Sequence, residues 1–186
     1  MGYLRKFEYK IIQKGSYKII RNCAGCRCKT TYISTEKFRV NANGKYLDVW
    51  LIYQCGKCKH TYNLSIYERM KVTDIPKVEY DKFLINDLEF ALDYGKDRKL
   101  FQRNRADIDW GSIDYYIVGD DIAFKRGDYI EIYNPQQLKI RIDKVIANVL
   151  QISRSKAKLL ERNGTIEIKS NHLEYKIEIL VNGELI

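Results

Sequence analysis

Four cysteines fall in two matched pairs, Cys23/Cys26 and Cys55/Cys58, with 28 residues between the pairs. Each C-x-x-C segment can turn two sulfurs inward, and a hairpin between them returns the second pair to complete a tetrahedral thiolate shell with Zn–S bonds of about 2.3 Å. A bound ion then replaces much of the apolar core that this end of the chain would otherwise need. The spacing therefore predicts a structural Zn²⁺ site, a zinc ribbon; four buried thiols or two disulfides are the competing reading.

At 186 residues, with 45% hydrophobic content and only two prolines, the chain is long enough for one large or two small folded domains. The longest apolar run is Val49-Trp50-Leu51-Ile52-Tyr53, far short of the ~20 residues of a membrane span, and the N-terminus lacks a signal-peptide stretch. Met1-Gly2 opens like a lipidation signal, but Lys6 stands where that pattern needs Ser or Thr. These features predict a cytoplasmic protein without membrane contact, and a reducing compartment favours metal over disulfides.

The formal charge of +9 is distributed in blocks. Residues 1–78 carry 16 Lys and Arg against 5 Asp and Glu, residues 79–138 carry 8 against 13, residues 139–164 carry 7 against 2, and the tail carries 2 against 4. Two basic segments thus flank an acidic middle. They suit a polyanion, although a solvated surface has the same composition.

Alternation predicts strands around Phe7–Ile11 and Tyr17–Ile19 leading into the first knuckle. Residues 31–40 and 46–54 form the next pair, joined by the turn signal Asn41-Ala42-Asn43-Gly44-Lys45, and residues 61–67 add a third antiparallel strand. From Tyr80 the apolar positions Phe83, Leu84, Leu88, Ala91 and Leu92 predict an amphipathic helix ending near Gly95, and a short helix carries Leu100 and Phe101. Strands are expected at 114–118, 122–125 and 129–133.

Ile142, Val145, Ile146, Val149 and Leu150 follow the one-sided helical rule. Ser153 then caps a second helix that ends at Asn163-Gly164, with strands beyond at 165–169 and 173–181. In the second helix Arg154, Lys158 and Arg162 recur every four residues and form a basic stripe.

The segment from Arg141 to Ile168 resembles the αL RNA-binding motif of the bacterial ribosomal protein S-four superfamily, with Arg141, Asp143, Ser153, Arg154, Ala157, Leu160 and Gly164 on the pattern. The resemblance implies RNA contacts by Arg141, Lys144, Ser153, Arg154 and Lys158, to which the stripe adds Arg162. The tight turn that the pattern has after Ile168 is replaced by a longer one. Over nearly the whole length, the segments Glu36–Ala42, Leu47–Tyr53 and Phe83–Asp87 identify the chain as a member of the bacterial family catalogued as domain of unknown function 1062, which brings no established activity.

The expected fold class is α+β: an antiparallel zinc-ribbon module at 1–78, a helical segment at 79–110, a β connector at 111–138 and a C-terminal αL, S-four-like module at 139–186. The expected function is non-catalytic binding of structured RNA such as rRNA or tRNA, with a DNA-binding or transcription-associated ribbon, or a protein-interaction module, as alternatives. With two histidines and no phosphate-cradling glycine loop, no catalytic set and no small-molecule site assemble. Tyr32, Tyr46, Tyr53, Tyr62 and Tyr67 are either base-stacking platforms or strand packing. Cys28 and His60, each two residues past its knuckle, are expected beside the metal as bystanders or as redox-exchangeable ligands.

Overall fold

The computed structural model describes residues 5–172 and 175–185. Met1, Gly2, Leu173 and Ile186, which figure in the sequence expectations, lie outside the described residues. The chain divides into two compact units: one is Gly15–Ile113, and the other combines Met1–Lys14 with Asp114–Ile186.

The Gly15–Ile113 unit is built on a sheet of order β5-β4-β3-β2-β6, formed by β2 (Ile19–Cys23), β3 (Cys28–Asn43), β4 (Tyr46–Cys55), β5 (Thr61–Lys71) and the two-residue β6 (Asp107–Ile108). All its ladders are antiparallel. The long β3–β4 hairpin turns at Gly44, whose φ of 61° lies where a side chain is disfavoured. Along β4, Leu47, Val49, Leu51, Tyr53 and Cys55 alternate onto the buried face, so the strand's own period delivers Cys55 inward. β3 is interrupted between Ser34 and Phe38 by a bulge in which Glu36 takes a φ of 56°.

The expected helix from Tyr80 to Gly95 is instead two helices, α1 (Lys77–Ile85) and α2 (Leu88–Lys96). Asn86 ends α1 in the left-handed conformation, and the Asp87 carboxylate caps α2 by accepting from the Phe90 N–H at 2.8 Å. The break rotates the apolar stripe: Phe83 and Ala91 are buried, whereas Leu84 and Leu88 are exposed. Phe38 of β3 meets Phe83 and Tyr94 edge-to-face and Phe90 at a tilt, in one aromatic cluster. The short helix α3 (Arg98–Arg103) buries Leu100 and Phe101, as its pattern predicts.

The other unit has a sheet of order β7-β1-β8-β10-β9, made of β1 (Lys6–Gln13), β7 (Tyr115–Val118), β8 (Tyr129–Tyr133), β9 (Ile166–His172) and β10 (Lys176–Val181). Two helices, α4 (Ile142–Val149) and α5 (Arg154–Arg162), form where periodicity places them. Ser153 caps α5 through the Lys156 N–H at 3.2 Å, and Gly164 follows at a φ of 75°.

The expected fold class is overturned by this architecture. Among the described residues the protein is mostly β, with two five-stranded sheets, and α1, α2, α3 and α5 pack against strands rather than forming a middle segment of their own. β1 does not serve the ribbon; it runs parallel to β8 and antiparallel to β7 in the other sheet, burying Tyr9, Ile11 and Gln13. Nor is there a separate S-four-like module, because β10 is laddered to β8 from Lys176 to Leu180, which makes the last hairpin part of a larger sheet. Ile122–Lys125 is not a strand. The first two have one physical reason: alternation reports which face of a strand is apolar and is silent on which strand lies beside it.

Candidate functional site

The four cysteines of the two knuckles converge. Their sulfurs all lie within 4.8 Å of one another, with Cys23–Cys58 at 3.4 Å and Cys26–Cys55 at 3.8 Å, and all five cysteines of the chain are free thiols. A tetrahedral thiolate site with metal–sulfur bonds of about 2.3 Å requires sulfur–sulfur edges of about 3.8 Å, so the set could hold an ion with shifts of about 1 Å or less. Cys28 is not among these sulfurs.

Both knuckles share one backbone design. The residue after the second cysteine adopts the left-handed conformation, Arg27 at a φ of 53° and Lys59 at 63°, which turns the chain back under its sulfurs. The residue after that closes the ladder: Cys28 is the strand partner of Cys23, and the His60 carbonyl accepts from the Cys55 N–H at 2.9 Å. Cys28 and His60 thus act through their backbone while their side chains are exposed. Gly25 is required sterically, because a Cβ there would stand 2.9 Å from the Cys58 sulfur.

Electrostatics separates Cys23, Cys26 and Cys55. The Thr30 hydroxyl, 3.1 Å from the Cys55 sulfur, and the backbone N–H groups of Cys58 and Lys57 bring the Cys55 thiol down to about 6. The Tyr32 hydroxyl lowers Cys23 in the same way. Cys26 is pushed up to about 12 by the neighbouring sulfurs, Cys58 first. Four thiolates at this spacing repel one another unless a cation sits between them, and a divalent ion supplies that charge. Thr30 and Tyr32 escape sequence reading, since no local motif ties either to a sulfur that the fold brings to it.

The basic residues expected on α4 and α5 are partly gathered. Arg141 donates to both Asp143 oxygens at 3.1 and 3.0 Å, Arg154 to Asp143 Oδ2 at 3.2 and 2.8 Å, and Lys158 Nζ lies 3.6 Å from the same oxygen. Three cations thus share one carboxylate, and the Arg154 and Arg141 guanidiniums hold Asp143 well below the usual carboxylate range. Lys144 points elsewhere, 5.0 Å from the centre of the Tyr115 ring, Ser153 is occupied as the cap, and Arg162 sits at the far end of α5, about 12 Å along its axis.

Among the tyrosines, Tyr32 and Tyr53 are fully buried packing residues, and Tyr53 donates to the Tyr17 carbonyl at 3.0 Å. Tyr67 donates to Glu79 at 2.6 Å. Tyr46 is exposed, and Tyr62 is half-buried beneath the Arg21 guanidinium.

Residues 40–172 match the sequence profile of the family described as protein of unknown function (DUF1062). The chain belongs to this family. The matched span contains Cys55, Cys58 and the whole of α4 and α5, while Cys23 and Cys26 precede it. No curated protein and no solved structure matches the chain. Among the described residues, no helix of this family member is long and apolar enough to cross a membrane.

Proposed function

We propose that the protein is a cytoplasmic, non-catalytic RNA-binding protein whose cysteine cluster carries a structural zinc ion, and that structured RNA lies against the basic face of α4 and α5. The observation that carries this reading is the convergence of Arg141, Arg154 and Lys158 on Asp143. Three cations over one carboxylate leave an excess of two positive charges held in place on exposed helix faces. Such a preset cluster meets backbone phosphate with less side-chain entropy to lose than free lysines have. Four sulfur donors make a closed shell with no open coordination position, which suits zinc in a structural rather than a catalytic role.

The test is the affinity of zinc-loaded protein for a structured RNA and a matched DNA duplex across a salt series, repeated with Arg154→Glu/Lys158→Glu. RNA preference with a steep salt slope that the double substitution flattens supports the reading, and a preference for duplex DNA replaces it with a DNA-binding ribbon. A second reading, a protein-interaction module, is favoured by the exposed apolar side chains of Val78, Leu84, Ile85 and Leu88 on α1 and α2, all more than half accessible. It takes over if neither nucleic acid binds near physiological salt.

A further inference from the structure

A cavity of about 390 Å³ in the Gly15–Ile113 unit belongs neither to the sulfur cluster nor to the basic helix face. It opens where β6 stops. β6 covers β2 only at Ile19 and Ile20, so among the described residues the edge through Arg21 and Asn22 continues without a strand beside it. Arg21, Lys29, Tyr62, Arg105, Asn22 and Asp107 line the space, three cations against one carboxylate.

Two features of this lining are not explained by packing. The Arg21 guanidinium lies 3.5 Å from the centre of the Tyr62 ring, in contact with its face, and 5.7 Å from that of Tyr32. A cation laid on an aromatic ring is a flat, positively charged platform of the kind on which an unpaired base stacks. Arg105 follows α3 in the left-handed conformation, at a φ of 50°, with its N–H bonded to the Gln102 carbonyl at 3.0 Å. Glycine is the favoured residue at such a helix end, and here a long cationic side chain takes the strained position and lines the cavity. Asn104 beside it is locked, its amide bonded to the carbonyls of Ser65 and Leu100 and its oxygen to the Ser65 N–H, so the helix end that presents Arg105 is rigid.

We propose that this cavity binds one unpaired nucleotide, its base on the Arg21–Tyr62 stack, its phosphate drawn by Lys29 and Arg105, and an exocyclic amino group of the base within reach of the Asp107 carboxylate. The volume is at the lower end of small-ligand sites, where a single nucleotide fits. This deepens the RNA reading by assigning single-stranded segments to the Gly15–Ile113 unit, and it rests on that reading only for the nucleotide's being part of RNA.

The test compares zinc-loaded wild type with Arg105→Gly, Tyr62→Leu and Arg154→Glu/Lys158→Glu by fluorescence anisotropy, using a short labelled single-stranded RNA and a labelled RNA duplex. Arg105→Gly puts the residue the backbone favours at that position, and Tyr62→Leu keeps apolar contact with the sheet, so neither threatens folding. The expected result is that each weakens single-strand binding by about fivefold or more and leaves duplex affinity within about twofold. Single-strand binding that is absent, or that both substitutions leave unchanged, overturns the inference even where duplex binding persists. Loss of duplex binding in the wild type with single-strand binding still dependent on Arg105 sinks the helix-face reading and sustains this one. Competition by adenosine monophosphate separates the sources: displacement of the labelled strand identifies a free nucleotide as sufficient, and its absence at millimolar concentration identifies the polymer as the ligand.

Discussion

In the Gly15–Ile113 unit four sulfurs tie together residues no more than 35 apart in sequence, whereas in the other unit Arg5 clamps the buried Asp128 across 123 residues, with its guanidinium nitrogens 2.8 and 2.6 Å from the two carboxylate oxygens. The first unit is continuous and closes locally. The second is made from both ends of the described chain, and β1 cannot find β8 until everything between them is out of the way. Contacts across short separations cost little loop entropy, and a metal adds its binding free energy to folding. Contacts between chain ends carry the full closure cost unless the intervening segment is already compact. The expected order of folding, with a metal on the four cysteines, is therefore the cysteine-cluster unit first and the end-to-end sheet second.

Stripping a zinc-loaded sample with a chelator, or replacing Cys55 by Ser, is the strongest test of this contrast. The expected outcome is loss of amide protection in β3, β4 and β5, with several kcal/mol of stability gone, since Cys55 is fully buried and a serine there cannot rebuild a thiolate shell. The other unit then has to close a flexible loop of about 100 residues, which weakens it by roughly 4 kcal/mol without removing its own contacts. Hydrogen exchange reads both effects from one sample. Protection that persists in β3–β5 without metal breaks the comparison.

A matched pair of glycine substitutions sharpens it. A Cβ on Gly95 would stand 2.0 Å from Ser16 Oγ and 3.2 Å from the Ser16 Cα, and one on Gly119 would stand 2.1 Å from the Tyr9 ring. Tyr9 is buried, and its hydroxyl donates to the Asp120 carbonyl at 2.5 Å, so the ring has little room to yield. Each Gly→Ala change is expected to cost about 2–3 kcal/mol. Gly95→Ala acts in the cysteine-cluster unit and Gly119→Ala in the unit of the end-to-end sheet. Denaturant melts followed separately by Trp50 fluorescence and by exchange in β8 should show the two losses in different units; equal loss in both for either variant means that the units melt as one.

What the sequence made legible divides along the same line. The knuckles could be read because a ligand pair three residues apart is a local statement, and α4 and α5 because a helix declares its buried face within two turns. The turn at Gly44 and the cap at Ser153 are local in the same sense. The split between α1 and α2 also had a signal, the Asn86-Asp87 pair, which the apolar positions on either side outweighed. β1 defeated sequence reading because Tyr9 and Ile11 fit any apolar sheet, and its true neighbours stand more than 100 residues away. The hub role of Asp143 and the Arg21–Tyr62 stack were hidden for a related reason: each depends on side chains that the tertiary fold brings to one point.

A smaller effect comes from the row of carboxylates across the end-to-end sheet, where Glu8, Glu131 and Glu178 are strand partners. Burial pushes the Glu131 carboxyl up, but the Tyr133 hydroxyl, which donates to it, and Lys6 and Lys176 at 3.1 and 3.3 Å outweigh burial and leave it below its usual value of 4.5. A carboxylate lowered in the folded state stabilises the fold above its unfolded value, and that contribution fades as pH falls through the folded value. Glu131→Gln also relieves repulsion from Glu8 and Glu178, so the expected cost at neutral pH is only about 1 kcal/mol. Wild type and variant should converge in stability as pH drops below about 4.5. A difference that stays constant from pH 7 to pH 3 assigns the loss to packing rather than charge.

The least perturbing change should be Cys28→Ser. Its thiol is exposed and outside the four-sulfur group, and its structural contribution is the backbone pairing with Cys23, which serine keeps. Zinc release by peroxide, followed with a chromogenic chelator, is therefore expected to proceed at the wild-type rate. A slower release would mean that Cys28 exchanges with a ligand once one sulfur is oxidised, and it would turn the contrast between the units around. The cysteine-cluster unit would then be the conditional one, opened by oxidant, and the end-to-end sheet the constant part of the molecule. Unchanged kinetics leave the staple as a fixed element, with Cys28 and His60 closing the two knuckles by their backbones alone.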